Sequence, residues 1–129
     1  MLGAMRVIGL SAALALASLR AALPAESYLN DDEIKALLGN TVRSGKTADG
    51  TPWTIRSNAD GTQTLVAGKD NSFTDSSTYV VRDGASCETW RKLDDGKETC
   101  WRFRKTGDNT YVSVRPNGKV DSTFSVEPQ

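Results

Sequence analysis

The 129-residue sequence contains no histidine, and this absence excludes whole classes of chemistry. Without an imidazole, the chain cannot build a Ser-His-Asp or Cys-His catalytic arrangement or a histidine metal site. General acid–base catalysis by histidine and a histidine pH switch near neutrality are excluded for the same reason. We therefore expect no catalytic residues, no bound metal and no cofactor.

Other familiar signals are missing as well. No Gly-x-Ser-x-Gly elbow, Ser-x-x-Lys motif or phosphate-binding glycine loop occurs. Basic and acidic residues number 16 each, and a near-neutral chain is a poor general binder of nucleic acid. The adjacent acids Asp31-Asp32 and Asp94-Asp95 are typical of a helix start and a turn. Hydrolysis by carboxylates needs two acids that converge across a cleft, and adjacent residues do not supply them.

A long hydrophobic run is also lacking. The longest run, Val7–Leu19, has thirteen apolar or small residues, fewer than the roughly 20 that a transmembrane helix needs. It lies between the positively charged Met1–Arg6 and the small residues of Ala22–Ala25, an order typical of a secretory signal peptide. The sequence thus predicts a signal peptide over residues 1–25 and one periplasmic or secreted domain over residues 26–129, with no membrane anchor after cleavage. Cleavage after Ala17 and an uncleaved N-terminal anchor are the alternatives.

Cysteine occurs only at Cys87 and Cys100, and two cysteines in an exported domain predict one disulfide. A tight turn at Asp95-Gly96 would place Trp90 opposite Trp101, but it would separate the cysteines by about 13 Å along the strands. A disulfide requires Cα atoms within roughly 7 Å. Either the cysteines stay unpaired or the hairpin has a wider loop or a bulge, and we favour the disulfide with an irregular loop.

One helix is predicted near the start of the domain. Asn30 is a good N-cap, Glu33 completes a capping box, and Asp31 and Asp32 suit the positive end of the helix dipole. Ile34, Leu37 and Leu38 form one apolar stripe, and Gly39 is placed to end the helix in a left-handed conformation. A helix this short is stable only when its stripe docks on something, so we expect a lid or plug on a β-domain.

The rest of the chain is predicted to be strand and turn. Asp-Gly and Asn-Gly pairs recur about every 10 to 12 residues, between short runs rich in β-branched and aromatic residues. This pattern predicts a mainly β fold, an antiparallel meander that forms a small barrel or a strongly curved sheet. The predicted strands are residues 40–45, 52–57, 62–67, 77–82, 86–93, 97–105, 110–115 and 119–126. Polar Lys69–Ser77 is predicted to be a loop. The expected core comprises Trp53, Ile55, Trp90, Trp101, Phe103, Val112, Val114 and Phe124, with Leu37 and Leu38 from the helix.

Two groups of side chains are candidates for a functional site. Arg102, Arg104 and Arg115, together with Arg91, could form a basic strip that binds a carboxylate, a phosphate or an acidic protein. A solvated strand face balanced by nearby acids explains the same residues. Trp90 and Trp101 could line a ligand pocket, and core packing beside the disulfide is the alternative explanation for them.

Several short motifs resemble those of small uncharacterised exported proteins of alphaproteobacteria. These motifs are Glu33–Leu38 followed by Gly39-Asn40-Thr41, the Asp60-Gly61 and Asp83-Gly84 turns, Cys87-Glu88-Thr89-Trp90, Cys100 and Gly107-Asp108. Where that family often has Gly-x-Trp, this chain has Thr78-Tyr79-Val80. The resemblance implies a secreted or periplasmic β-domain and supplies no activity and no catalytic residues.

These observations favour a non-enzymatic binding or inhibitor module whose partner is an unknown small ligand or a periplasmic protein. As an inhibitor, it could insert the acidic loop Lys69–Asp75 into a basic cleft. The alternatives are a structural or envelope-stress protein that acts through its surface and, less favoured, a carboxylate-dependent hydrolase. A large internal cavity would favour capture of a small ligand, whereas a filled core would point to the surface.

Overall fold

The computed structural model describes residues 27–129, so the predicted signal peptide, both cleavage points and the alternative N-terminal anchor lie outside the described residues. One helix precedes eight antiparallel strands. The elements are α1 (Asp31–Leu38), β1 (Thr41–Thr47), β2 (Pro52–Ser57), β3 (Thr62–Ala67), β4 (Phe73–Arg82), β5 (Ala85–Trp90), β6 (Glu98–Gly107), β7 (Thr110–Val114) and β8 (Val120–Pro128). In residues 27–129, no helix has the length and apolar character needed to cross a membrane.

The strands form a closed barrel. Each strand pairs with the next along the chain, and β1 pairs with β8 from Thr41↔Pro128 to Thr47↔Ser122. Closure gives every strand two hydrogen-bonded neighbours and so removes the exposed edges of an open sheet. The mainly β prediction is confirmed, and the structure decides between its two forms in favour of the barrel.

β4 begins earlier than the sequence predicts. It starts at Phe73, so half of the predicted loop Lys69–Ser77 is strand and only residues 68–72 connect β3 to β4. Asp75 and Ser77 are buried and hydrogen-bonded, which lets a polar sequence occupy a strand position. A pattern based on hydrophobicity cannot detect a strand whose buried side chains are polar.

Helix α1 plugs one end of the barrel, as predicted. Its capping box is present, with Asn30 and Glu33 each accepting the other's backbone N–H. The buried side chains of its stripe are Ile34, Leu37 and Leu38. They form one cluster with Phe103 and Phe124 from the barrel wall. The Gly84 N–H, in the β4–β5 turn, donates to Asp31 Oδ1 at 2.6 Å and fixes the helix at that end.

The helix ends differently from the prediction. Gly39 has a φ of −71°, and the left-handed residue is Asn40, with a φ of 56°. The Gly39 N–H donates to the Lys35 carbonyl at 2.8 Å, so Gly39 is the C-cap and the left-handed position falls one residue later than predicted. Asparagine tolerates the left-handed region better than most residues, which lets the chain reverse there into β1.

Aromatic side chains pack where β1 approaches β8. The ring of Phe124 has centroid distances of 5.7 Å to Trp53, 5.9 Å to Phe103 and 5.6 Å to Tyr111. Gly45 pairs with Phe124 across the ladder, and a Cβ at Gly45 would lie only 2.2 Å from the Thr123 carbonyl oxygen. Only glycine therefore fits where this strand passes the aromatic cluster.

The expected core is mostly found inside the barrel, with one error of face. Phe103, Phe124 and Trp90 are buried, whereas Trp53, Ile55 and Trp101 are half-buried because they line a cavity that opens to solvent. Val112 and Val114 are buried as predicted, but Tyr111 and Ser113 are the inward residues of β7. Since neighbouring residues of a strand face opposite sides, both valines lie on the outer face.

The cysteine hairpin has the disulfide and the irregular loop that were predicted. Cys87 lies directly opposite Cys100, with Cα atoms 3.9 Å apart and the sulfurs bonded. Asp94 and Asp95 both adopt left-handed conformations, with φ of 55°, inside a short 3₁₀ turn. The alternative that was not favoured, a tight Asp95-Gly96 turn with Trp90 opposite Trp101, does not occur, because the disulfide register pairs Trp101 with Ser86.

Replacement of Leu38 by alanine should cost about 2–5 kcal/mol of unfolding free energy, because a fully buried leucine would leave a cavity under the plug. Urea denaturation followed by far-UV circular dichroism measures this loss. The control is Lys35→Ala, an exposed position of the same helix, which should change stability by less than about 0.5 kcal/mol. Equal effects of the two changes would show that the stripe does not hold the plug.

Loss of the disulfide should cost roughly 3 kcal/mol, the chain-entropy value for a loop of this length. Reduction of the wild-type protein and the double change Cys87→Ser with Cys100→Ser should lower the urea midpoint by similar amounts. Reduction serves as the control because it breaks the cross-link without replacing the buried Cys87 side chain. An unchanged midpoint after verified reduction would contradict a stabilising role.

Candidate functional site

The barrel contains a cavity of about 630 Å³ that opens at the end opposite α1. The β1–β2, β3–β4, β5–β6 and β7–β8 connections surround its mouth, which is lined by Thr47, Gly68, Leu93 and Val120, among others. The volume lies in the range of small-molecule sites, about 300–1,000 Å³. The chain therefore fills one end of the barrel with a helix and leaves the other end hollow.

Aromatic and aliphatic side chains make up most of the cavity wall. All three tryptophans of the sequence, Trp53, Trp90 and Trp101, contribute to it. The structure thus places the predicted pair Trp90 and Trp101 in the wall of one cavity and adds Trp53, which sequence analysis assigned to the core. Alternation along β2 identified Trp53 as inward, but it could not show that the space in front of the ring is empty.

A buried arginine lies on the side of the cavity nearest α1. Arg43 in β1 is 3% exposed, and its Nη2 donates to Gln63 Oε1 at 2.8 Å and Ser57 Oγ at 3.3 Å. Its guanidinium lies 5.8 and 5.6 Å from the ring centroids of Phe103 and Phe124, within cation–π range. Burial lowers the pKa of Arg43 from its ordinary value, while the nearby Glu88 opposes that change.

A buried acid in β5 accompanies this arginine. Glu88 is 4% exposed, with Oε1 accepting from Trp90 Nε1 at 3.1 Å and Oε2 from Ser86 Oγ at 2.9 Å. Burial raises the pKa of Glu88, and the charge of Arg43 together with these hydrogen bonds partly offsets the rise. No ion pair closer than 4.0 Å involves either residue in the described part of the chain. The two charges influence each other across the barrel without direct contact.

Neither Arg43 nor Glu88 was predicted from the sequence as a site residue. Arg43 lies between Val42 and Ser44, and Glu88 follows Cys87, so an apolar-inward pattern turns the polar residue of each strand outward. The only available signal was the inverse pattern, in which polar side chains of β1, β3 and β5 share the inward face. That pattern becomes informative only when the barrel is known to enclose a polar group.

Asp75 fixes one rim of the mouth. Its carboxylate accepts the backbone N–H groups of Lys92 at 3.1 Å, Leu93 at 2.9 Å and Ser76 at 2.8 Å. Burial alone would raise the pKa of Asp75, but these N–H groups hold it below its ordinary value. The bonds join β4 to the β5–β6 loop and thereby hold Leu93 at the opening. The Asp75 carboxylate is therefore used in hydrogen bonds within the fold, and Asp75 does not belong to an acidic loop that could enter the cleft of a partner.

The four arginines of the candidate strip occupy three different places. Arg102 and Arg104 are neighbours on the outer face of β6, where their guanidiniums lie 3.4 and 5.9 Å from the ring centroid of Tyr28. Arg115 is at the mouth, where its Nε donates to Asp121 Oδ1 at 3.0 Å and its guanidinium covers the Trp101 ring. Arg91 is exposed in the β5–β6 loop. The structure brings Arg102 and Arg104 together and separates the other two.

The arrangement around Glu88 does not support hydrolysis by paired carboxylates. Glu88 is the buried acid with a raised pKa, but the charge that acts on it is Arg43 rather than a second carboxylate. Both of its oxygens already accept hydrogen bonds.

Compared with protein-family models, curated proteins and solved structures, the chain has no match. The cavity itself is therefore the feature that indicates a function.

Glu88→Gln should change how stability depends on pH. Because the folded-state pKa is raised, the folded chain holds more protons than the unfolded chain between the ordinary value of 4.5 and the folded value. Wild-type stability should therefore fall as the pH rises through that window, and the variant should lose this decrease. Urea denaturation across pH 4 to 8 measures both curves. Glu127→Gln, at an exposed position of β8, is the control and should keep the wild-type curve; a wild-type slope in the Glu88 variant would contradict the assignment.

Proposed function

We propose that this protein is a non-enzymatic binding module that captures a small molecule inside its barrel. The observation that carries the proposal is the cavity of about 630 Å³, open at one end and walled largely by aromatic and aliphatic side chains. Sites that bind small molecules are typically concave, mostly apolar and equipped with a few polar groups. Arg43 and Glu88 supply such polar groups here.

The energetic cost of the cavity supports a role for it. Empty space in a protein interior loses packing contacts, and core cavities destabilise in proportion to their volume. A chain of this size has little stability to spare. A protein that acts only through its outer surface gains nothing from a hollow interior, whereas a binding module needs one.

We also propose that the protein works in the periplasm or outside the cell, in keeping with the resemblance to exported alphaproteobacterial proteins. The Cys87–Cys100 disulfide supports this location, because structural disulfides persist in oxidising compartments and are rare in the cytosol. The predicted signal peptide is an independent argument from the sequence.

A screen of ligands with two matched variants tests the proposal. The disulfide-bonded protein is melted with fatty acids, haem and cell-wall fragments, and a ligand at 100 times its dissociation constant should add about 2.7 kcal/mol, or roughly 10 °C in Tm. Ala67→Phe, at an inward position near the mouth, should abolish the shift by occupying the opening. Val66→Phe, the outward neighbour, should retain it.

Two results would overturn the proposal. One is a cooperatively melting wild-type protein that shows no saturable shift with any compound. The other is a shift that survives Ala67→Phe unchanged, since the ligand would then bind outside the barrel.

A further inference from the structure

Two buried donors in the cavity wall have no acceptor within the described part of the chain. Arg43 Nε and Trp101 Nε1 have no hydrogen-bond partner among residues 27–129, and both side chains line the cavity. A buried donor left unpaired typically costs about 1–3 kcal/mol, so such groups are rare in native proteins and require an explanation. An acceptor brought in by a ligand would remove this cost at both positions.

The charge of Arg43 gives a second indication. Its guanidinium is buried and has no ion-pair partner in the described chain. The nearby acid, Glu88, forms no ion pair with Arg43, and both of its carboxylate oxygens accept hydrogen bonds from other side chains. A buried charge is costly unless a counter-charge and hydrogen bonds compensate it. The space beside the Arg43 guanidinium therefore favours an anion over a neutral or cationic group.

The apolar residues are arranged so that they define an orientation. Phe73, Leu93 and Val120 line the mouth and are 37%, 38% and 43% exposed, while tryptophans line the wall below them. Arg43 lies four residues from Thr47, the mouth end of β1, which is roughly 13 Å along the strand. The mouth thus carries apolar side chains beside Asp49 and Asp121, and Arg43 lies below them at depth.

From these three observations we infer that the ligand is a small amphipathic carboxylate that enters with its charged end first. Its carboxylate pairs with Arg43, and its apolar body lies against the tryptophan wall and reaches the apolar side chains at the mouth. A single buried guanidinium matches one negative charge, and a charge-assisted hydrogen bond to a carboxylate is stronger than one to a neutral acceptor. This inference deepens the proposed function and rests on it.

The test uses pairs of probes that share a body and differ in the head group. Decanoate is compared with decan-1-ol and decylamine, and 4-phenylbutyrate with 4-phenylbutan-1-ol, all below the concentrations at which they form micelles. Intrinsic tryptophan fluorescence reports binding, since all three tryptophans line the cavity. At least one carboxylate should bind saturably and at least tenfold more tightly than its alcohol, and the amine should be the weakest of its series.

A pair of arginine variants locates the head group. Arg43→Met should weaken carboxylate binding at least tenfold and weaken alcohol binding by a clearly smaller factor, because the alcohol loses a hydrogen-bond donor whereas the carboxylate also loses its counter-charge. Arg56→Met, on the exposed outer face of β2, should bind like the wild type. If Arg43→Met does not fold, the head-group comparison on the wild-type protein still decides the question.

The outcomes separate this inference from the function on which it rests. Equal affinity for the acid and its alcohol, or tighter binding of the amine, would overturn the carboxylate while leaving the binding cavity in place. If no probe in either series binds, the carboxylate inference fails. If the ligand screen is also silent, the proposed function fails with it.

Discussion

The pairing of β1 with β8 is the constraint on which the hollow interior depends. An eight-stranded barrel has an interior just wide enough to be filled by side chains or to hold one small ligand, so closure at this number of strands allows either outcome. Here the ladder between β1 and β8 runs over seven residue pairs and requires glycine at position 45, where a Cβ would strike β8. With the radius fixed in this way, the volume of the inward side chains decides which parts of the barrel are filled.

The two ends of the barrel differ in how far side chains fill them. At one end, three apolar residues of α1 join Phe103 and Phe124 in a closed cluster, and the end is filled. At the other end, the inward positions carry small or polar residues such as Ala67, Ser113 and Ser122, which leave space between the tryptophans. The hydroxyl of Ser122 accepts from Trp53 Nε1 at 3.1 Å and so holds that ring against the wall. The cavity is thus a consequence of residue size at a few inward positions.

The sequence predicted the elements of this fold much better than its interior. The capping box predicted the start of α1 to the residue, and the Asp-Gly turns placed most strands within a few residues, because these signals act over short distances. The start of β4 was missed because its inward residues, Asp75 and Ser77, are polar. The inward face of β7 was misassigned because Val112 and Val114 are buried on the outside of the barrel. Hydrophobic alternation predicts burial, and burial is not the same as facing the interior.

The candidate site could not be read from the sequence for a related reason. Arg43 and Glu88 are 45 positions apart in the sequence, on strands that lie across a barrel, and neither belongs to a motif. Their interaction exists only because closure places both buried side chains inside the barrel, where charges act over longer distances than in solvent. The two charges interact without direct contact, and a sequence motif, which depends on fixed spacing, cannot describe such a pair.

Arg43 connects the filled end of the barrel to the hollow one. Its guanidinium lies over Phe103 and Phe124, the same rings that hold the helix plug, and it also lines the cavity. A buried charge that is only partly compensated is costly, and an apolar side chain of similar size would pack against these rings without that cost. The cost of a positive charge at this junction is reduced if a ligand supplies a counter-charge from the open side of the barrel. Stability and binding then share one residue, and a ligand that satisfies Arg43 would also tighten the packing on which the plug rests.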